Sequence, residues 1–195
     1  MKYIKIRENL IHQTAVLNWN KIIIGKGNII GPYVVIGNSA QHPQSNSNGK
    51  IIIGNKNTFN EFCNIHLPTK IKKKTSIGNN NYFMNSTTID HDCTIENDVV
   101  LSSNVVLGGN VYIMKGAQLG MKVSVHQNQI IGSYSMIGMN SFITRKLKVI
   151  PGYKFYGKPA IKKKLNVIGL KRNKITKDVL KVENNRYKKL SFLNK

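Results

Sequence analysis

From Ile77 to Ile143 a large apolar residue stands at every sixth position, twelve times in succession: Ile77, Phe83, Ile89, Ile95, Leu101, Leu107, Ile113, Leu119, Val125, Ile131, Ile137 and Ile143. An amphipathic helix would repeat its apolar side about every 3.6 residues and a strand about every second one, so neither accounts for a period of six. This register belongs to a β-helix built from hexapeptide repeats. Three hexapeptides make one triangular coil of about 18 residues. One coil cannot bury its own apolar side, so neighbouring coils stack around a shared column. The pattern therefore predicts an all-β chain, a left-handed parallel β-helix, with a short helix at its C-terminal end.

The register continues upstream. Ile53, Phe59, Ile65 and Ile71 are in phase with Ile77, and Ile24, Ile30 and Ile36 form an earlier block displaced by one residue. Glycine follows the apolar position repeatedly, as at Gly78, Gly108 and Gly120, which suits a sharp corner. Two segments break the pattern. Residues 39–50 (SAQHPQSNSNGK) are polar and turn-rich, and residues 67–76 (LPTKIKKKTS) carry a proline and four lysines, at 70, 72, 73 and 74. Both predict loops projecting from the solenoid, and long loops on a rigid repeat are frequent carriers of function. The expected division is residues 1–150 as the β-helix and residues 151–195 as an irregular exit plus helix. Thr176 reads as the N-cap of that helix, with Asp178 in its first turn and Val179, Leu180, Val182 and Leu190 partly on one side.

Cys63 and Cys93 have no spacing that implies a disulfide framework. No apolar run reaches transmembrane length and the first residues lack a signal-peptide core, so a cytoplasmic protein with no integral membrane segment is expected. The formal charge of +22 points either to an acidic partner or to a Lys- and Asn-rich composition as such. Basic residues are not interleaved with aromatics on a recognisable module, so nucleic acid is not an expected partner.

Stacking at 18 residues places chemistry on one edge. Gly109 falls one coil beyond His91 and Gln127 two coils beyond, while Asn110 follows Asp92 and His126 follows Gly108. A histidine beside a carboxylate, close to backbone N–H groups, has the parts of a general base with an oxyanion donor. The alternative is a surface imidazole held by Asp92. No metal is expected, because the spacings of His66, His91 and His126 do not match the coil. No serine has the context of an activated nucleophile.

The stretch Thr87-Thr88-Ile89-Asp90-His91-Asp92-Cys93-Thr94 resembles the catalytic coil of the UDP-N-acetylglucosamine O-acyltransferase family, which begins lipid A synthesis. The likeness continues through Leu107-Gly108-Gly109-Asn110-Val111, Val125-His126-Gln127 and Asn166-Val167-Ile168-Gly169-Leu170-Lys171-Arg172. The resemblance implies His91 as general base, Asp92 as its partner and the Gly109 amide as oxyanion donor. It implies substrate contacts at Thr88, Asn110, His126, Gln127, Gln41, Asn166 and Arg172. It places Met139 at the turn that sets acyl-chain length, where a methionine would favour a short chain. It further implies a homotrimer with intersubunit active sites, a nucleotide-sugar acceptor and an acyl-carrier-protein donor. No cofactor is held permanently; the acyl thioester is a co-substrate. Thr88 and Asn110 stand where that family has histidines. Tyr156-Gly157-Lys158-Pro159-Ala160 resembles instead the exit of coenzyme-A-dependent acetyltransferases, in which Gly157 and Lys158 would grip an acyl-CoA. Two further readings share the fold: a non-catalytic binding protein, and a carbonic anhydrase that would need three convergent histidines.

Overall fold

A computed structural model describes residues 2–70 and 73–193. Ile71 and Lys72 lie outside the described residues. The chain forms the expected left-handed parallel β-helix, with three sheets as the faces of a triangular prism. The hexapeptide register explains each face. On the first, Ile11, Ile30, Phe59, Phe83, Leu101, Leu119, Ile137 and Phe155 stack inward, one per coil. Leu17, Ile36, Ile65, Ile89, Leu107, Val125 and Ile143 line the second. Ile24, Ile53, Ile77, Ile95, Ile113 and Ile131 line the third. These columns meet in one core, with the Phe59 and Phe83 rings 4.9 Å apart at its centre.

A polar ladder runs beside the apolar one. Asn9, Asn28, Asn57 and Asn81 are buried at the corner between the third face and the first. Each side-chain oxygen accepts a backbone N–H from the next coil, at 2.8–2.9 Å, and the Asn81 oxygen ends the series on the Val99 amide. Burying a polar group is costly unless it is paired, and each asparagine oxygen in the ladder is paired with the next coil, while Asn81 Nδ2 ends the ladder without a partner among the described residues.

Coil length is not uniform. The spacing of ladder partners is 18 residues from Asn79 to Asn97 but 24 from Asn55 to Asn79 and 29 from Asn28 to Asn57. The two longer coils contain the two predicted loops. The first leaves Asn38 and returns at Lys50; the second leaves His66 and returns at Lys74, so Lys74, Thr75 and Ser76 are strand rather than loop. Both loops therefore emerge at one corner, between the second face and the third, on successive coils.

The ends depart from the sequence expectation. Tyr3–Ile6 folds back antiparallel on Asn9–His12 through Arg7 and Glu8, both at positive φ as a tight hairpin turn requires. Residues 151–165 are not irregular: Tyr153–Gly157 adds to the first face and pairs antiparallel with Ala160–Leu165. Helix α1 (Val167–Arg172) and helix α2 (Lys177–Leu193) follow. Thr176 Oγ1 accepts the Val179 amide at 3.3 Å, so it caps α2 as expected. The docked side of α2 is not the valine side, since Val179 and Val182 are exposed. Glu183 and Tyr187 are buried instead, Tyr187 against Met114 and Ile130. The cost of burying Glu183 is offset by Ser133 Oγ, which donates at 2.6 Å, and by Lys115 and Arg186 at 2.9 and 2.8 Å.

Replacing Asn57 by alanine removes the acceptor of the Asn81 amide and the donor to the Gly78 carbonyl. Each group left unpaired should cost about 1–3 kcal/mol. The expected outcome is a lower urea midpoint with an unchanged denaturant slope.

Candidate active site

His91 sits at the corner between the second and third faces, in the tight turn joining Thr88–Ile89 to Thr94–Ile95. Each such corner needs one residue at positive φ, and on this edge Asp92, Asn110 and Asn128 supply it at 62°, 59° and 61°. Asp and Asn are the side chains that tolerate that conformation best, so the HD and GN pairs have a conformational reason as well as a chemical one.

The His91 side chain is 12% exposed and its Nδ1 lies 2.9 Å from Asp92 Oδ2. An ionised carboxylate can only accept, so Nδ1 carries the proton and Nε2 presents its lone pair. Asp92 is in turn held by the second loop. The Thr69 hydroxyl donates to Oδ2 at 2.9 Å and the Thr69 amide to Oδ1 at 3.2 Å. The ammonium of Lys73 lies 3.6 Å away. Burial alone would raise the Asp92 carboxyl, but the hydrogen bonds from His91 and Thr69 and the charge of Lys73 outweigh it and hold it below its ordinary 3.8. The His91 main chain is fixed separately, its amide donating to Asp90 Oδ1 at 2.8 Å. That same oxygen takes the Nδ1 proton of buried His66 at 2.9 Å. His66 Nε2 accepts from Asn64, so this histidine is a fully engaged support.

The next coil completes the arrangement. The imidazole lies directly over Gly109, and a Cβ there would collide with His91 Cε1. The Gly109 carbonyl accepts the Asn128 amide at 2.9 Å, and the His91 carbonyl accepts the Asn110 amide at 2.8 Å. Among the described residues no acceptor takes the Gly109 amide itself. His91, with a free lone pair, and Gly109, with an uncommitted N–H, thus line one cavity of about 440 Å³. This combination can deprotonate a nucleophile and stabilise a developing oxyanion.

Of the residues expected from the sequence, the structure gathers His91, Asp92, Gly109, Asn110 and Gln127 around that cavity. Gln41 is not among its lining residues. The first loop instead delivers His42 and Gln44 to it. His126 turns its Nδ1 to the Gln127 carbonyl and also stands outside the cavity. Thr88 faces outward on the second face, also away from it. Asn110 bonds Asn128 at 2.8 Å. Asn166 is buried as the cap of α1 and donates to the Tyr134 carbonyl, and Arg172 lies with it at a smaller cavity on the first face. Met139 is 65% exposed on the corner between the first and second faces. Gly157 and Lys158 are exposed at the terminal hairpin. Sequence reasoning missed Thr69, His42, Asp90 and His66. The signal was present in the loops' phase, because both interrupt the coil at the position where His91 stands two or fewer coils later.

Fold and site together define the class, a hexapeptide-repeat β-helix of the transferase type. The family model described as bacterial transferase hexapeptide (six repeats) matches residues 74–109. The chain is 36% identical over 182 residues to the acyl-(acyl-carrier-protein)–UDP-N-acetylglucosamine O-acyltransferase of Rhizobium rhizogenes, covering 91% of this chain and 65% of the relative. It is 34% identical over 169 residues to the enzyme of the same name from Burkholderia orbicola, covering 86% of this chain and 64% of the relative. The crystal structure of a UDP-N-acetylglucosamine acyltransferase from Bacteroides fragilis superposes with a TM-score of 0.83 at 27% identity, over 92% of this chain and 70% of that one. The chain is a hexapeptide-repeat protein similar in sequence and fold, over most of its length, to UDP-N-acetylglucosamine O-acyltransferases. It spans 65% and 64% of the length of these two curated relatives, less than two thirds of either.

The Thr69 hydroxyl is one of the donors that hold Asp92 ionised. Thr69→Val keeps the shape and removes that donor, so the Asp92 carboxyl should titrate closer to 3.8. Because the folded value is depressed, the His91–Asp92 bond is complete above the ordinary value and is lost as pH falls through the lowered one. In the variant the loss should begin at higher pH, read by carboxyl carbon NMR titration.

Proposed function

We propose that the protein is an acyltransferase that moves an acyl group from a thioester to a hydroxyl or amine of a nucleotide-linked sugar such as UDP-N-acetylglucosamine. The observation that carries this reading is the His91–Asp92 dyad poised over the uncommitted Gly109 amide. His91 Nε2 takes the proton of the acceptor as its oxygen or nitrogen attacks the thioester carbonyl carbon. The carbonyl electron pair moves to oxygen, which accepts a hydrogen bond from the Gly109 N–H. Collapse re-forms the carbonyl and breaks the C–S bond, and the departing thiolate takes the proton from the imidazolium. No covalent acyl-enzyme is needed. The donor is an acyl-carrier-protein or coenzyme A thioester with a short chain, and the product, made in the cytoplasm, is a precursor of lipid A or of a surface polysaccharide.

The active unit in this reading is a homotrimer. Met139, Arg172 and Lys158 lie on other faces and corners than His91. Within one copy they cannot reach the base. A neighbouring copy whose first face turns toward the His91 edge brings them to it, so a site shared between subunits uses residues that one chain keeps apart.

His91→Ala should lower turnover by about 10²–10⁴-fold, the usual contribution of a positioned base, without changing the molecular mass in solution. Acyl-carrier thioesters and acetyl-coenzyme A, offered with a set of nucleotide sugars and followed by mass shift, identify the donor. Undiminished turnover in the variant would remove His91 from the chemistry, and no transfer from any donor would remove the acyltransferase reading.

A further inference from the structure

The cavity beside His91 is lined by three basic groups that acyl transfer does not itself employ: His42, Lys70 and Lys73. All three come from the two inserted loops. The His42 ring lies edge-on to the His91 ring, with centroids 5.6 Å apart at 78°. Its Nδ1 accepts the Gln44 amide at 3.2 Å, so the neutral ring carries its proton on Nε2 and offers a donor. The Lys73 amide donates to the Lys70 carbonyl at 3.0 Å, which keeps the two residues close. Lys70 makes no ion pair among the described residues, and the Lys73 ammonium is half exposed at its 3.6 Å contact with Asp92.

The acceptor groups around the cavity are few. Asp92 is its one carboxylate among the described residues, and both of its oxygens are occupied by Thr69 and His91. The remaining polar lining, including Gln44, Asn110, Gln127 and Asn128, is neutral amide. A group entering beside His91 therefore meets two ammoniums and an imidazole N–H, with no free negative charge opposed to them. Compact groups with several acceptor oxygens match that donor set, phosphate above all. Loops supply this charge because the corner itself does not: beside the dyad it presents the neutral Asn110, Gln127 and Asn128.

We propose that His42, Lys70 and Lys73 form a phosphate subsite that anchors a substrate phosphate next to His91. The choice of ligand rests on the acyltransferase reading, in which two phosphates reach this edge: the diphosphate of the acceptor nucleotide, or the phosphate of the donor's pantetheine arm. Anchoring either one would fix the reacting atom at a constant distance from Nε2. Electrostatic anchoring of this kind is screened by salt.

The test is calorimetric titration of the intact protein with uridine diphosphate against uridine, and with 4′-phosphopantetheine against pantetheine. The wild type is compared with Lys70→Ala/Lys73→Ala and with His42→Gln, the folding of each checked by thermal unfolding. One phosphorylated ligand should bind at least tenfold tighter than its dephosphorylated form, and the lysine variant should lose most of that ratio. The pair that shows the ratio identifies the source of the phosphate. Equal binding of both members of both pairs, or an undiminished ratio in the lysine variant, would overturn the subsite. His42→Gln guards against a purely non-specific effect of lost charge, since it should reduce the ratio while the net charge stays the same. Lysine-dependent phosphate discrimination without thioester turnover would keep the subsite and discard the acyltransferase reading; turnover without discrimination would do the reverse.

Discussion

The stacking of one inward aliphatic on another, coil after coil, is the constraint from which the rest follows. Ile77 can meet Ile95 only if the backbone returns to the same face at the same height, so each coil must close in register. Faces tolerate no extra residues, because a slip would turn the core column outward. Insertions are confined to corners, where the ladder is already interrupted. The molecule uses one corner for both of its insertions, the second leaving the coil after His66 and the next coil carrying His91. Repetitive hydrophobic packing thereby fixes the height at which functional side chains stand.

At that corner a rigid repeat is turned into a site by small departures from repetition. Asp92 occupies the position taken by asparagine on the two coils that follow, and exchanging an amide for a carboxylate gives His91 a partner that only accepts. Gly109 opens room for the imidazole. The cost of burying Asp92 is offset from the preceding coil, where Thr69 lends both a hydroxyl and an amide. Asp90 does the parallel service for the His91 main chain, steadied by His66. The base is thus held at ring and backbone by two carboxylates, each supported by the coil beneath it. Such support is what keeps a catalytic group within the tolerance that chemistry demands.

The fold was legible because it depends on one property, apolarity at a fixed interval, and that property is local. The dyad was legible too, since His91 and Asp92 are neighbours in sequence and Gly109 follows at the regular coil length. What escaped was everything that depends on the two long coils. Thr69 lies under Asp92 across a separation of 23 residues rather than 18, and a ruler of constant length cannot place it there. Which residues of the first loop line the cavity was not legible for a related reason: His42 and Gln44 do and Gln41 does not, since a loop side chain's direction is set by its turns and not by the repeat. The valine side of α2 misled because apolarity favours it, whereas the docked side carries Tyr187 and the charged Glu183.

That charged anchor has a consequence for how the chain ends. Arg186 joins Glu183 on the helix to Glu96 on the third face, with Tyr112 donating to Glu96 at 2.6 Å. Burial first, and then the contact with Glu96, pushes the Tyr112 hydroxyl up to about 12. Glu183 is held below the ordinary carboxylate range despite its burial, by Ser133, Lys115 and Arg186. Its contribution to docking is therefore complete above that ordinary range and is lost only as pH falls through the lowered value. Removing one member of a buried charged cluster leaves the others unpaired, so these contacts add an all-or-none element to the apolar packing of Tyr187 and Leu190. A helix held in this way covers the third face near the end of the solenoid and leaves the first face, with the Arg172 cavity, and the His91 edge uncovered. Those are the two surfaces that a site shared between copies would require.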